Sequence, residues 1–184
     1  MNSTPRVTMV CTGNICRSPA MEYVAQNLWG PSAEVTSAGI YAEIGMEVPL
    51  PMLNAAVRHG ITIGHHRPAQ LDYATLAESD LVLVATQQHA RWAEREWGER
   101  APHVFGLKEA VALSRQADAP VGATPQTRLE STAFTLDAVR LDAPVPLESL
   151  DDPYGGDQDM FDRVMDEIVD DLEELTAWGG LADR

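Results

Sequence analysis

Thiols are scarce in this 184-residue chain: two cysteines, at positions 11 and 16, are all it has. Two cannot build the four-cysteine zinc patterns, and the five histidines show no His-x-x-x-His pairing that would complete a site. No metal is expected. Long apolar runs are also missing, since none approaches the roughly 20 residues that a membrane helix needs. The opening stretch MNSTPRVTMV lacks the basic segment and apolar core of a secretory signal, so the cytoplasm is the expected compartment. Positive charge is short as well: 13 Lys and Arg stand against 28 Asp and Glu, a formal net charge of −15. That balance argues against nucleic acid and anionic membranes as partners, and it favours solubility.

What is present fits one well-cored domain over residues 1–184, with 45% hydrophobic and 22% charged residues. Short β-branched runs alternate with helical periods. RVTMV (6–10) reads as a strand, and Pro19 stands in the first turn of a helix that continues as AMEYVAQNLW. EVTSAGI (34–40) is a second strand, followed by the helix MLNAAVRHG (52–60), which Gly60 stops. DLVLVAT (80–86) has the continuous apolarity of a strand covered on both faces. Thr86 then caps the helix QQHARWAEREW, and Gly98 ends it. HVFGL (103–107) is a fourth strand, and the last helix spans 157–177, with Met160, Phe161, Val164, Met165, Ile168, Leu172 and Leu175 on one face. Strand and helix alternating four times predict an α/β fold, a doubly wound open four-stranded parallel sheet of flavodoxin-like order 2-1-3-4 with helices on both faces. Residues 108–149, rich in proline, break the rhythm and read as a helical or loop insertion within the domain, with KEAVALSRQ and RLESTAFTLDAVRL as its helical pieces.

In such a sheet, ligands bind at the carboxyl ends of the strands, where a loop entering a helix presents unpaired N–H groups. VCTGNICRSP (10–19) occupies this place. The amides and the positive end of the helix dipole make an anion cradle. Gly13 permits the backbone geometry, and Asn14 tolerates a left-handed conformation while bracing the loop. Arg17 can grip two phosphate oxygens at once. Cysteines at helix N-termini beside an arginine lose their proton readily, which makes Cys11 a nucleophile for phosphorus, and Ser18 can donate a hydrogen bond to its sulfur. Read without its neighbours, Cys11 would be a small buried residue at a strand end. Removing phosphate from an ester also needs an acid for the departing oxygen. DDPYGG (151–156) supplies the candidates, Asp151 and Asp152, while Asp157 caps the last helix.

These two stretches, with VTSAGI, RHGITIGHHRPAQL and DLVLV between them in order, closely resemble the low-molecular-weight protein tyrosine phosphatase family. The resemblance implies Cys11 as the nucleophile of a cysteinyl-phosphate intermediate, Arg17 as the clamp on the equatorial oxygens and Asp152, before Pro153, as general acid and base. It implies a cradle of amides from Thr12, Gly13, Asn14, Ile15, Cys16 and Arg17, with Ser18 bonded to the sulfur and Asn14 holding the loop. His66 matches the histidine that supports the loop, with His65 adjacent as the other candidate. Neither metal nor cofactor is implied. Three departures stand out: Pro68 and Ala69 replace an Ala-Arg pair, Tyr154 is followed by Gly155 where a second aromatic is common, and 108–149 is long for the family.

The substrate implied is a phosphotyrosine protein, with Ile15 as an apolar wall, Tyr41 and Tyr154 about the ring, and Arg58 and Arg67 as a basic rim. The protein is expected to be a monomer or weak dimer. Alternatives are a phosphoarginine phosphatase, whose branch tends to carry threonine at the loop position of Ile15, and an arsenate reductase drawing on a small thiol. A binding module without turnover would need neither thiolate nor acid. Cys16 is expected to trap oxidised Cys11 as a reversible disulfide.

Overall fold

The computed structural model describes residues 4–182. Four parallel strands form the sheet: β1 (Arg6–Cys11), β2 (Glu34–Gly39), β3 (Leu81–Val84) and β4 (Val104–Gly106), in the order β2-β1-β3-β4. This is the predicted order. Side-chain alternation in the central strands explains the two cores. Val7, Met9 and Cys11 of β1 and Leu81 and Leu83 of β3 face one side, while Val10, Val82 and Val84 face the other.

The first side is covered by α1 (Arg17–Trp29), α2 (Leu50–Arg58), α5 (Leu107–Ser114), α6 (Pro125–Asp142) and α7 (Gln158–Gly179). The second is covered by α3 (Tyr73–Glu78) and α4 (Gln87–Trp97). Trp29 ties the ends of α1 and α7 together: its ring is buried, and its indole N–H donates to Thr176 Oγ1 at 2.9 Å.

Helix ends follow the cap chemistry read from the sequence. Thr86 accepts the His89 N–H at the start of α4, Asp157 accepts the Met160 N–H at the start of α7, and Gly98 closes α4 with a φ of 92°. The strands differ from expectation in length, β3 shrinking to Leu81–Val84 and β4 to Val104–Gly106. The helix α3 is an addition. It is six residues long with Leu76 as its only buried side chain, too short to show a period.

Residues 108–149 contain most of α5 and all of α6. Helix α5 starts directly from β4, and α6 starts at Pro125 because proline fits a first turn, with Thr124 capping it. Leu113, Leu129 and Leu136 from this stretch are fully buried in the same core as α1 and α7.

Candidate active site

The loop between β1 and α1 sits at the carboxyl end of the central strand. Asn14 adopts a φ of 56°, the only left-handed non-glycine residue described. Three attachments hold it there. Its Nδ2 donates to Ser18 Oγ and to Ser37 Oγ, each at 2.8 Å, and its Oδ1 accepts the Ala69 N–H at 2.8 Å. Asn14 is wholly buried, so these bonds satisfy a polar group that would otherwise be costly. Gly39 at the end of β2 completes the support from behind, since a Cβ there would come within 2.5 Å of the Thr12 carbonyl oxygen.

The second bond chain runs inward from Glu22. Ser37 Oγ donates to Glu22 Oε2 at 2.5 Å while accepting from Asn14, and Ser18 accepts from Asn14 while lying 3.0 Å from Cys11 Sγ. Burial pushes the Glu22 carboxyl upward against the hydrogen bond from Ser37 and the charge of His66. His66 Nε2 donates to the Asn14 carbonyl at 2.8 Å, with Nδ1 3.9 Å from Glu22. Of the two adjacent histidines, His66 is the one bonded to the loop. The ring of His65 is exposed and accepts instead from Arg67 Nε at 3.3 Å.

Among the described residues, no acceptor takes the backbone N–H groups of Thr12, Gly13, Asn14, Ile15 or Cys16. These donors, at the start of the 13-residue helix α1, are available to an anion. Arg17 is 4% exposed, and its buried Nε–H has no partner among the described residues. Its Nη2 donates to Asp152 Oδ2 at 2.9 Å and its Nη1 to the Leu150 carbonyl at 3.3 Å. The Leu150 N–H in turn donates to the Ala85 carbonyl at 2.9 Å, which ties the loop of Asp152 to the end of β3. Of the adjacent pair Asp151 and Asp152, Asp152 is the one that reaches the site, and its Oδ1 accepts the Tyr154 N–H at 3.2 Å. Asp151 does not line the cavity.

Cys11, Thr12, Gly13, Ile15, Cys16, Arg17, Glu43, Asp152 and Tyr154 enclose a cavity of about 110 Å³. Asn14, Ser18 and His66 support it from outside. Tyr41, 65% exposed, does not line it, and neither does any residue of 108–149. Neither Arg58, which pairs with Asp162 of α7, nor Arg67 lines the cavity.

Sequence reading missed Glu22, Ser37, Glu43 and His89. His89 is buried, its Nδ1 accepts the Thr86 N–H at 3.1 Å, and its Nε2 therefore donates to Thr12 Oγ1 at 2.9 Å. Burial and the nearby Arg17 charge pull its pKa down to about 4, so the ring is neutral. Burial, with Cys11 and Asp152 close by, pushes the Cys16 thiol up to about 12, which keeps Cys16 protonated. Both cysteines are free thiols. No group of three or more His, Cys, Asp or Glu among the described residues is placed to hold a metal ion. None of the described helices is long and apolar enough to cross a membrane.

The arrangement combines a cysteine with a hydroxyl on its sulfur, a nest of free amides, a buried guanidinium and a carboxyl group. The family described as low molecular weight phosphotyrosine protein phosphatase matches residues 6–135. Low molecular weight protein-tyrosine-phosphatase Ptp of Acinetobacter johnsonii is 34% identical over 91 residues, covering 50% of this chain and 63% of that protein. Protein-arginine-phosphatase of Bacillus subtilis is 26% identical over 172 residues, covering 92% of this chain and 93% of that one. A solved low molecular weight protein tyrosine phosphatase from T. tengcongensis superposes with a TM-score of 0.70 at 26% identity, covering 94% of this chain and 98% of the other. With its strand order, its cysteine loop and its matched residues in agreement, the chain belongs to the low molecular weight phosphotyrosine protein phosphatase family, a family of phosphatases.

Proposed function

We propose that the protein hydrolyses phosphotyrosine in proteins, and small aryl phosphates, through a cysteinyl-phosphate intermediate. The observation that carries this reading is the meeting of the Cys11 sulfur, the unmatched Arg17 Nε–H and the Asp152 carboxyl in one small cavity. The phosphoryl group binds to the free amides of residues 12–16 and to Arg17, which turns from Asp152 toward the equatorial oxygens. The Cys11 thiolate attacks phosphorus, the bond to the tyrosyl oxygen breaks, and Asp152 gives that oxygen a proton. Water then attacks phosphorus, Asp152 takes its proton, and the S–P bond breaks to restore the thiolate. Ser18 stabilises the sulfur anion in both directions.

Ile15, buried and lining the cavity, offers an apolar wall to an aryl ring, and Tyr154 stands at the mouth. A phosphoarginine substrate is the second reading, favoured by the alignment along 92% of the chain with a relative named a protein-arginine-phosphatase. Two free cysteines suit the reducing cytoplasm, where we place the protein as a monomer or weak dimer. Closure of a Cys11–Cys16 disulfide is proposed as its redox brake.

Hydrolysis of para-nitrophenyl phosphate without added metal, abolished in Cys11→Ser, tests the chemistry. Peptides of matched sequence bearing phosphotyrosine or phosphoarginine separate the two substrates. Turnover confined to arsenate with a thiol donor would replace the phosphatase reading.

A further inference from the structure

The cavity mouth carries a carboxylate for which the reaction has no use. Glu43 lines the cavity, and its side chain lies directly over Gly13, where an added Cβ would come within 3.0 Å of its Cγ. Its position relative to the cradle is fixed by the backbone. The N–H groups of Ile40, Tyr41 and Glu43 donate to the carbonyls of Cys11, Thr12 and Gly13 at 3.0, 3.0 and 2.9 Å. This segment therefore continues the β1–β2 pairing along the rim of the loop. The Glu43 carboxylate has no hydrogen-bond or ion-pair partner among the described residues.

The arginines that the sequence reading brings to the site make other contacts. Arg17 is buried and bonded to Asp152, Arg58 is paired with Asp162, and Arg67 donates to His65. The charged residues lining the cavity are Arg17, Glu43 and Asp152, and since Arg17 pairs with Asp152, Glu43 is the unpaired charge there, on a chain with a net charge of −15. Beside them Tyr41, Ile44 and Met46, on the same segment, expose apolar side chains. An acidic segment brought to this rim meets like charge, whereas a Lys or Arg meets an unpaired carboxylate.

We propose that Glu43 is a specificity-determining residue, which selects phosphorylated segments carrying a Lys or Arg directly beside the phosphorylated residue and apolar side chains that cover Tyr41, Ile44 and Met46. The inference rests on the phosphatase reading, and it holds whichever side chain bears the phosphate. Because Glu43 is exposed, its contribution is modest and sensitive to salt.

The test compares kcat/KM for two phosphotyrosine peptides that differ only in a Lys or a Glu next to the phosphotyrosine. It is run on the wild type, Glu43→Gln and Glu43→Lys, at low salt and at about 0.5 M salt. The Lys peptide should be favoured about fivefold or more by the wild type at low salt. The ratio should shrink toward one in Glu43→Gln and at high salt, and it should invert in Glu43→Lys. A wild-type ratio of one, or a Lys preference that survives unchanged in Glu43→Gln, overturns the proposal. Turnover of para-nitrophenyl phosphate, measured in parallel, separates that result from failure of the phosphatase reading, in which neither this substrate nor either peptide is hydrolysed.

Discussion

Ser18 stands between Asn14 and Cys11, and its acceptor side is already occupied. Asn14 Nδ2 donates to its oxygen at 2.8 Å, which leaves the Ser18 hydroxyl proton for the Cys11 sulfur at 3.0 Å. A hydrogen bond to a charged group is worth about 1.5–3 kcal/mol, or roughly tenfold to a hundredfold in rate. The sulfur is the leaving group when the cysteinyl-phosphate breaks down, so Ser18→Ala should slow that step by this factor. Stopped-flow assays of Ser18→Ala should then show a burst of para-nitrophenol followed by slow turnover. An unchanged kcat would show that the hydroxyl contributes nothing to the sulfur.

Asp152 reaches the cavity through a loop stitched to the end of β3, and among the described residues no other carboxylate is bonded to Arg17. As general acid it should supply a factor of about 10² to 10⁴. Its removal should hurt most where the departing oxygen is most basic. Asp152→Ala should therefore lose far more activity on phosphotyrosine peptides than on para-nitrophenyl phosphate, whose leaving group departs without help. Equal losses on both substrates would assign Asp152 to binding alone.

The part of the site that is local in sequence was readable from it. Cys11, Asn14, Arg17 and Ser18 lie within one strand-loop-helix turn, where spacing already places them together. Spacing alone narrows the acid only to Asp151 and Asp152, because adjacent carboxylates in a turn differ by where the fold sends them, and it is the family resemblance that selects Asp152. The supporting groups were not legible. Glu22 sits on a helix, Ser37 on a strand and Glu43 in a loop, each reading as an ordinary polar position until the fold brings it to the loop. His89 was hidden differently: it reads as a polar residue in a helix first turn, and only the structure shows its ring buried between Thr86 and Thr12. The helical piece RLESTAFTLDAVRL lies within α6, which begins three residues earlier because Pro125 fits a first turn.

The two cysteines should respond differently to reagents. With its pKa pushed up to about 12 by burial, Cys11 and Asp152, Cys16 stays a thiol throughout the neutral range. Alkylation by iodoacetate at neutral pH should therefore label Cys11 alone, as read by peptide mass spectrometry, and Cys16→Ser should keep most of the activity. Peroxide converts the Cys11 thiolate to a sulfenic acid. The Cys16 sulfur then attacks that sulfur, expelling water and forming the disulfide. Loss of two hydrogens across the pair is the expected mass change. Accumulation of sulfinic acid at Cys11 instead would rule out the brake.

His89 gives the protein a stability that depends on acid. Its folded pKa is pulled from the ordinary 6.5 down to about 4, first by burial and then by the Arg17 charge. Above 6.5 the ring is neutral in both folded and unfolded chains, and its contribution is fully present. As pH falls below 6.5 the unfolded chain takes up a proton that the folded one refuses, so stability is lost progressively down to about 4. Burial also raises the Glu22 carboxyl, so the comparison must be with a variant that lacks only the His89 ring. Glutamine keeps a side-chain N–H donor for Thr12 without the basic nitrogen. The wild-type Tm should fall more steeply than that of His89→Gln between pH 6.5 and 4, and the two curves should run parallel above that window. Parallel curves across the whole range would mean that the buried ring does not resist protonation.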